Sequence, residues 1–336
     1  MIRYVVSRLG LAIVMALLAT LVIFLIANTV PGDPVLAQLG DVAASNKEFL
    51  AQYRAKWGLD LPLWERYFIF LKGLVHGDLG ISIATQRPVI EDIAAYAPAT
   101  IELATAGFLL SMLVGIPLGI LAAVRRDSWI DHTARFLSLI GVSSPTFWLA
   151  FIMLAVFYGG LQIAPGPGRL DSIALPPPAI TGLFLVDTLL EGDWDAFRDA
   201  LGHLVLPSVV LAATTLGLIT RTTRASMLES MQQDYVRMAR AKGLKERAVV
   251  ISHVLPNALI PVVTLAGLAY ANLLTGAVMT ETVFSWPGLG LYTFRSAAAL
   301  DFPAIMGITI VVAVTYLLIN LIVDISYALL DPRVLR

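Results

Sequence analysis

Apolar and polar residues are sorted into blocks along this chain. Leu9–Val30 contains no charged residue. As a helix rising about 1.5 Å per residue, a block of that length reaches across the roughly 30 Å hydrocarbon core of a bilayer. Five further blocks follow at Ile101–Val124 (uncharged after Glu102), Phe136 to about Gly160, His203–Thr220, Leu259–Val283 and Pro303–Leu330. The pattern predicts an all-α, polytopic membrane protein with six transmembrane helices. The first lies within 1–30 and the others near 100–124, 136–160, 203–221, 257–283 and 303–330. The first block is longer than the apolar core of about 7–15 residues in a signal peptide, and Pro31-Gly32-Asp33-Pro34 follows it, so it reads as a retained helix.

The polar segments between the blocks carry weaker signals. Within 31–95, Ser45–Lys56 and Pro62–Val75 have amphipathic spacing and many aromatics (Phe49, Tyr53, Trp57, Trp64, Tyr67, Phe68, Phe70), which fits short helices lying on a membrane surface. His76–Ser82 is a turn-rich link. Gly115-Ile116-Pro117-Leu118-Gly119 predicts a kink or a packing notch inside the second span. Pro145 falls inside the third. Between Leu161 and Gly202, two Pro-rich stretches exclude regular helix, and Asp187–Leu201 reads as one short acidic amphipathic helix. Phe284–Gly290 reads as an interface turn with Trp286 at headgroup level.

Composition narrows the function classes. The chain is 58% hydrophobic and 14% charged, far from the soluble range, with net charge −1 and no cysteine. Disulfides and thiolate sites are excluded, and His76, His132, His203 and His253 show no ligand spacing. No metal or other cofactor is expected on this chain. Zinc-protease, nucleophile-elbow and phosphate-loop motifs are absent, so no enzyme activity is expected either. Of the 23 Lys/Arg, 14 fall in the short segments 1–8, 125–135, 221–253 and 331–336, and the other nine in much longer ones. The positive-inside bias places both termini in the cytoplasm. An ion-coupled transporter working alone needs ionisable groups deep in its spans. The candidates, Glu102, Glu281 and Asp324, all lie near span ends, where an interface position or an interhelix hydrogen bond also accounts for them. A membrane scaffold without transport is a further class.

The richest polar stretch is the island Ser230–Pro261. It reads Asp234-Tyr235-Val236-Arg237-Met238-Ala239-Arg240-Ala241-Lys242-Gly243-Leu244-Lys245-Glu246-Arg247, then Ser252-His253-Val254-Leu255-Pro256-Asn257. Tyr235–Ala241 favours helix, and Met238, Ala239 and Leu244 form a small apolar face. Gly243 accepts the left-handed conformation of a helix cap. A second helical run follows from Glu246 to Val254. The stretch predicts two short helices with a sharp elbow, in a loop of about 33 residues from Arg221 to His253; composition alone also allows a solvated basic loop.

The spacing of Ala239, Gly243, Leu255 and Pro256 resembles the signature loop of permease subunits of bacterial ABC importers. Arg237, Met238 and His253 stand where the oldest form of that pattern has glutamate, alanine and isoleucine. Tyr235–Leu244 is similar to the variant in dipeptide/oligopeptide-type permeases, which also cover nickel and glutathione systems. Similarities at Gly77–Gly80, Arg87-Pro88-Val89, Glu281–Gly290 and Asp324–Arg333 extend the likeness along nearly the whole chain. The resemblance implies a type I (MetI-like) permease domain over 96–328, preceded by an extra N-terminal helix, 1–30, and an extracytoplasmic segment, 31–95. Loop 222–256 would be the coupling loop to an ATPase, with Asp234, Tyr235, Arg237, Ala239, Arg240, Ala241, Lys242, Gly243, Leu244, Leu255 and Pro256 as its candidate residues. It further implies a second, related permease, two ATPase subunits that hydrolyse ATP, an extracytoplasmic binding protein, a bacterial inner-membrane location and import of dipeptides, oligopeptides or a related small peptide by alternating access.

Overall fold

The computed structural model describes residues 2–29, 61–171 and 173–330. The expected helix Ser45–Lys56, the Pro31–Pro34 turn and the 331–336 tail lie outside the described residues. Among those residues five helices are long and apolar enough to cross a membrane, and one bent helix pair makes a sixth if its two halves count as one span.

Helix α1 (Ile2–Thr29) packs along the last helix, α13 (Phe302–Leu330), where Arg8 and Asp324 pair at 3.3 Å. Helix α2 (Leu63–Val75), the expected amphipathic helix, leans on α1. Its Tyr67 hydroxyl donates to the Leu17 carbonyl at 3.1 Å, and Phe24 sits against Tyr67 and Phe70.

Helix α3 (Val89–Val124) begins about three turns before the expected span, immediately after Pro88. The Gly115/Gly119 notch faces the central helix α7 (Trp194–Met231). A Cβ on Gly119 would stand 2.6 Å from Thr223 Cβ and 2.7 Å from the Thr220 carbonyl oxygen, so only glycine lets the two backbones approach this closely.

The third span departs most from expectation. It is not one helix over 136–160 but α4 (Trp129–Ser143) and α5 (Thr146–Met153), the latter continued as a π-helical turn through Gly160, bent by 107°. Pro145 supplies no N–H, and its ring pushes Ser144 into extended backbone with ψ 129°. A cleft of about 610 Å³ opens beside the break, lined by Leu139, Ile140, Ser143, Pro145, Phe147 and Trp148. The expected loop through Arg135 shrinks to Arg125–Ser128, because Ser128 caps α4.

The expected helix Asp187–Leu201 is two. Helix α6 (Phe184–Glu191) ends at Gly192, whose φ of 76° is left-handed. Asp193 then caps α7, accepting from the N–H groups of Asp195 and Ala196. Helix α7 outruns the expected 203–221 at both ends. The fifth span, by contrast, ends earlier than expected. After α8 (Asp234–Ala241), α9 (Glu246–Val249) and a π-helical turn Val250–Val254, α10 (Leu255–Gly276) stops before Val283, and α11 (Val278–Val283) and α12 (Leu289–Ala298) follow. Trp286 is not at an exposed interface. It is 1% exposed, and its indole N–H donates to the Ala99 carbonyl at 2.8 Å.

Candidate functional site

The island folds as an elbow. Helix α7 continues straight through the polar residues Arg221–Met231, so the loop proper is only Gln232–Lys245. Asp234 opens α8, where its negative charge suits the positive helix end. Lys242 N–H donates to the Met238 carbonyl and Gly243 N–H to the Arg240 carbonyl, closing α8 with Gly243 at φ 79°. The chain then reverses into α9. Arg240 clamps the bend: its Nε and one terminal nitrogen reach the two Glu246 oxygens at 3.1 and 2.6 Å. That hydrogen bonding holds the Glu246 carboxyl below its ordinary range. Both side chains are about half exposed, so the clamp contributes geometry more than stability.

The elbow is also glued to the bundle. Val236, Ala239, Val249 and Val254 are buried with Ala123 of α3, Met227 of α7 and Ala258 of α10 in one cluster, flanked by Ile120, Leu228, Met231 and Leu255. Three helix ends therefore meet on two short helices. The expected apolar face of Met238, Ala239 and Leu244 is not a single face. Ala239 points inward, partnered by Val236 three residues earlier, while Met238 is 60% and Leu244 42% exposed. Tyr235, Arg237, Arg240, Ala241, Lys242 and Gly243 share the exposed side, as do Asp234 and Pro256. An apolar-and-basic surface of this kind, carried on a stiff support, can receive a partner and pass its displacement to three spans at once.

Sequence reading missed Val236, Val249 and Glu246. Val236 had a signal in its spacing against Ala239, whereas Val249 stands five residues before Val254 and joins it only because Val250–Val254 is a π-helical turn. Glu246 had none, because its partner lies across a turn rather than one helical turn away.

The candidates for ion coupling are already engaged, Glu102 and Glu281 at the end of the bundle opposite the elbow and Asp324 near the chain termini. Glu102 pairs with Arg169 at 2.5 Å and accepts from the Leu185 N–H at 2.8 Å. Arg169 also stacks on Phe184 at 3.5 Å, and burial pushes its guanidinium down in spite of Glu102. Glu281 is fully buried, accepting from Thr100 Oγ1 at 2.7 Å and from the Leu291 N–H at 3.0 Å. Asp324 pairs with Arg8. Asp187, the first residue of the expected acidic helix, is buried too. Burial alone would raise its carboxyl, but hydrogen bonds from Thr181 and Gly182 bring it below its ordinary range. Glu102, Glu281 and Asp324 fasten separate elements together, the interhelix role open to them from the sequence, whereas Asp187 ties the preceding loop to the start of α6.

Comparison with known proteins gives concordant matches. A family described as "Binding-protein-dependent transport system inner membrane component" matches residues 115–336, and its N-terminal companion matches residues 1–104. The chain is 47% identical over 327 residues to a probable D,D-dipeptide transport system permease protein of Escherichia coli K12, covering 97% of this chain and 95% of that one. It is 40% identical to the dipeptide transport system permease protein of the same organism, over 99% of both. A di/tripeptide transport system permease protein of Pseudomonas aeruginosa UCBPP-PA14 is also 40% identical over 99% of both.

Proposed function

This chain belongs to the family of binding-protein-dependent transport-system inner-membrane components, and on that premise we propose that it imports dipeptides as one half of a permease pair driven by two ATPase subunits. The observation that carries the mechanism is the elbow, with its inward face fixed to α3, α7 and α10 and its outward face of Tyr235, Arg237, Met238, Lys242 and Leu244 open. An ATPase seated on the outward face would move the bases of three spans together as it closes on ATP and opens after hydrolysis. The spans would then alternate between facing the cytoplasm and facing a binding protein on the other side. Both termini lie in the cytoplasm in this reading, as the excess of Lys/Arg at the elbow end favours. No step of ATP chemistry is assigned to this chain. A dipeptide-class substrate is supported by the names of the relatives and by no single side chain. Nickel finds no support in the dispersed histidines.

The test is purification of the tagged chain from its native membrane in mild detergent, with mass spectrometry of what accompanies it. The expected result is one further permease of similar length and two ATPase chains, with a binding protein that retains a dipeptide. Recovery of the chain alone, still able to drive uptake under an ion gradient, would overturn the reading.

A further inference from the structure

The elbow grips α3, α7 and α10, but no residue of α4 or α5 enters its cluster. The bent third span is joined to the same end of the bundle differently. Asp131, in the first turn of α4, is completely buried, and Arg224 of α7 holds both its oxygens, at 2.6 and 2.7 Å. The Asp127 N–H donates to the same carboxylate at 3.0 Å, and Arg135 lies 3.4 Å away. Arg224 is three residues before Met227, which sits in the elbow cluster with its neighbour Leu228. One turn of α7 thus holds the elbow on one side and α4 on the other.

Further along, the two backbones touch. A Cβ on Gly217 would stand 2.6 Å from the Ser138 carbonyl oxygen, and one on Gly141 would strike the Ala213 carbonyl. Helix α4 is therefore a rigid arm fastened to α7 from its base to within one turn of its end. Its end is the Ser144–Pro145 break, where the cleft opens. The pair sits at the rim of the bundle, with the Asp131 side chain buried and that of Arg224 still 19% exposed, so its worth lies less in stability than in geometry. A bidentate guanidinium–carboxylate contact instead fixes direction as well as distance.

We propose that Asp131 and Arg224 are a positioning pair that hands the displacement of the elbow to the third span, which swings about Ser144–Pro145. The proposal rests on the transport reading above, and its experiment separates the two. The chain has no cysteine, so Phe136→Cys on α4 and Phe151→Cys on α5, both exposed, can carry spin labels in the full complex. Dipolar spectroscopy with and without ATP reads the α4–α5 distance. Uptake of L- or D-alanyl-alanine per ATP hydrolysed is measured in proteoliposomes with the binding protein.

The expected result is an ATP-dependent change of distance in the parent that is lost in Arg224→Gln. Uptake per ATP falls about tenfold in that variant, the scale of coupling carried by packed networks, while ATP hydrolysis persists. If Arg224→Gln fails to assemble, Arg224→Lys, which keeps the charge without the bidentate geometry, should show a reduced distance change. A variant that moves like the parent, or a parent whose α4–α5 distance ignores ATP, overturns the proposal. A parent that shows the distance change but no ATP-driven uptake overturns the transport reading and leaves the positioning pair standing.

Discussion

Gly243 is the residue on which the elbow depends. Its φ of 79° is left-handed, yet an added Cβ would meet no atom within 4 Å. The constraint is torsional, not steric. Gly243→Ala should therefore cost only about 1–2 kcal/mol locally and keep much of the uptake. Gly243→Pro is different, because proline fixes φ near −65° and the reversal into α9 cannot form. Uptake should vanish while membrane insertion, read by fractionation, is unchanged; normal uptake by Gly243→Pro would remove the elbow from the mechanism. This position was legible because a glycine closing a polar helical run has one common meaning. Trp286 was not. Phe284-Ser285-Trp286-Pro287-Gly288 reads as a surface turn, and only the Ala99 carbonyl and the apolar cluster of Ala99, Leu103 and Leu204, all far away in sequence, explain why the indole is inside.

At the scale of elements, the crossing of α3 and α7 is a joint that only glycine allows. Gly119→Val would drive a side chain into Thr223 and the Thr220 carbonyl, and overpacking of this kind costs about 1–3 kcal/mol. Thermal unfolding in detergent should show a clearly lower midpoint for Gly119→Val. Gly10→Val, where nothing lies within 4 Å of an added Cβ, should behave like the parent. The five long apolar helices and the bent pair were visible in the hydropathy blocks, but their ends were not. Hydropathy counts polar residues as loop, whereas Arg221–Met231 is polar on one side and buries Thr223 and Met227 on the other. Helix α3 reaches back to Val89 because Asp92 and Glu102 find partners there, Tyr292 and Arg169. The break at Ser144–Pro145 was signalled by the proline, but a kink and a 107° bend look alike in sequence. The elbow's two-helix form was legible. Its inward face was not, since Val236 and Met238 are equally apolar and only packing separates them.

For the whole molecule, the test is which side each end faces. A chain without cysteine allows single labels to be placed at will. Ile173→Cys, at a site 90% exposed at one end, should react with an impermeant maleimide in intact spheroplasts. Arg126→Cys, whose side-chain site in the Arg125–Ser128 loop is 60% exposed, should react only after permeabilisation. The opposite pattern would invert the proposed topology. The network at the far end also sets an order of biogenesis. Glu102 must wait 67 residues for Arg169, and Thr100 must wait 181 for Glu281. The second span is therefore synthesised before either partner, and the end opposite the elbow can be complete only once α11 has been made. Quality control that samples the nascent chain would find its exposed acid there, and truncated chains lacking α11 would keep Thr100 without its acidic partner.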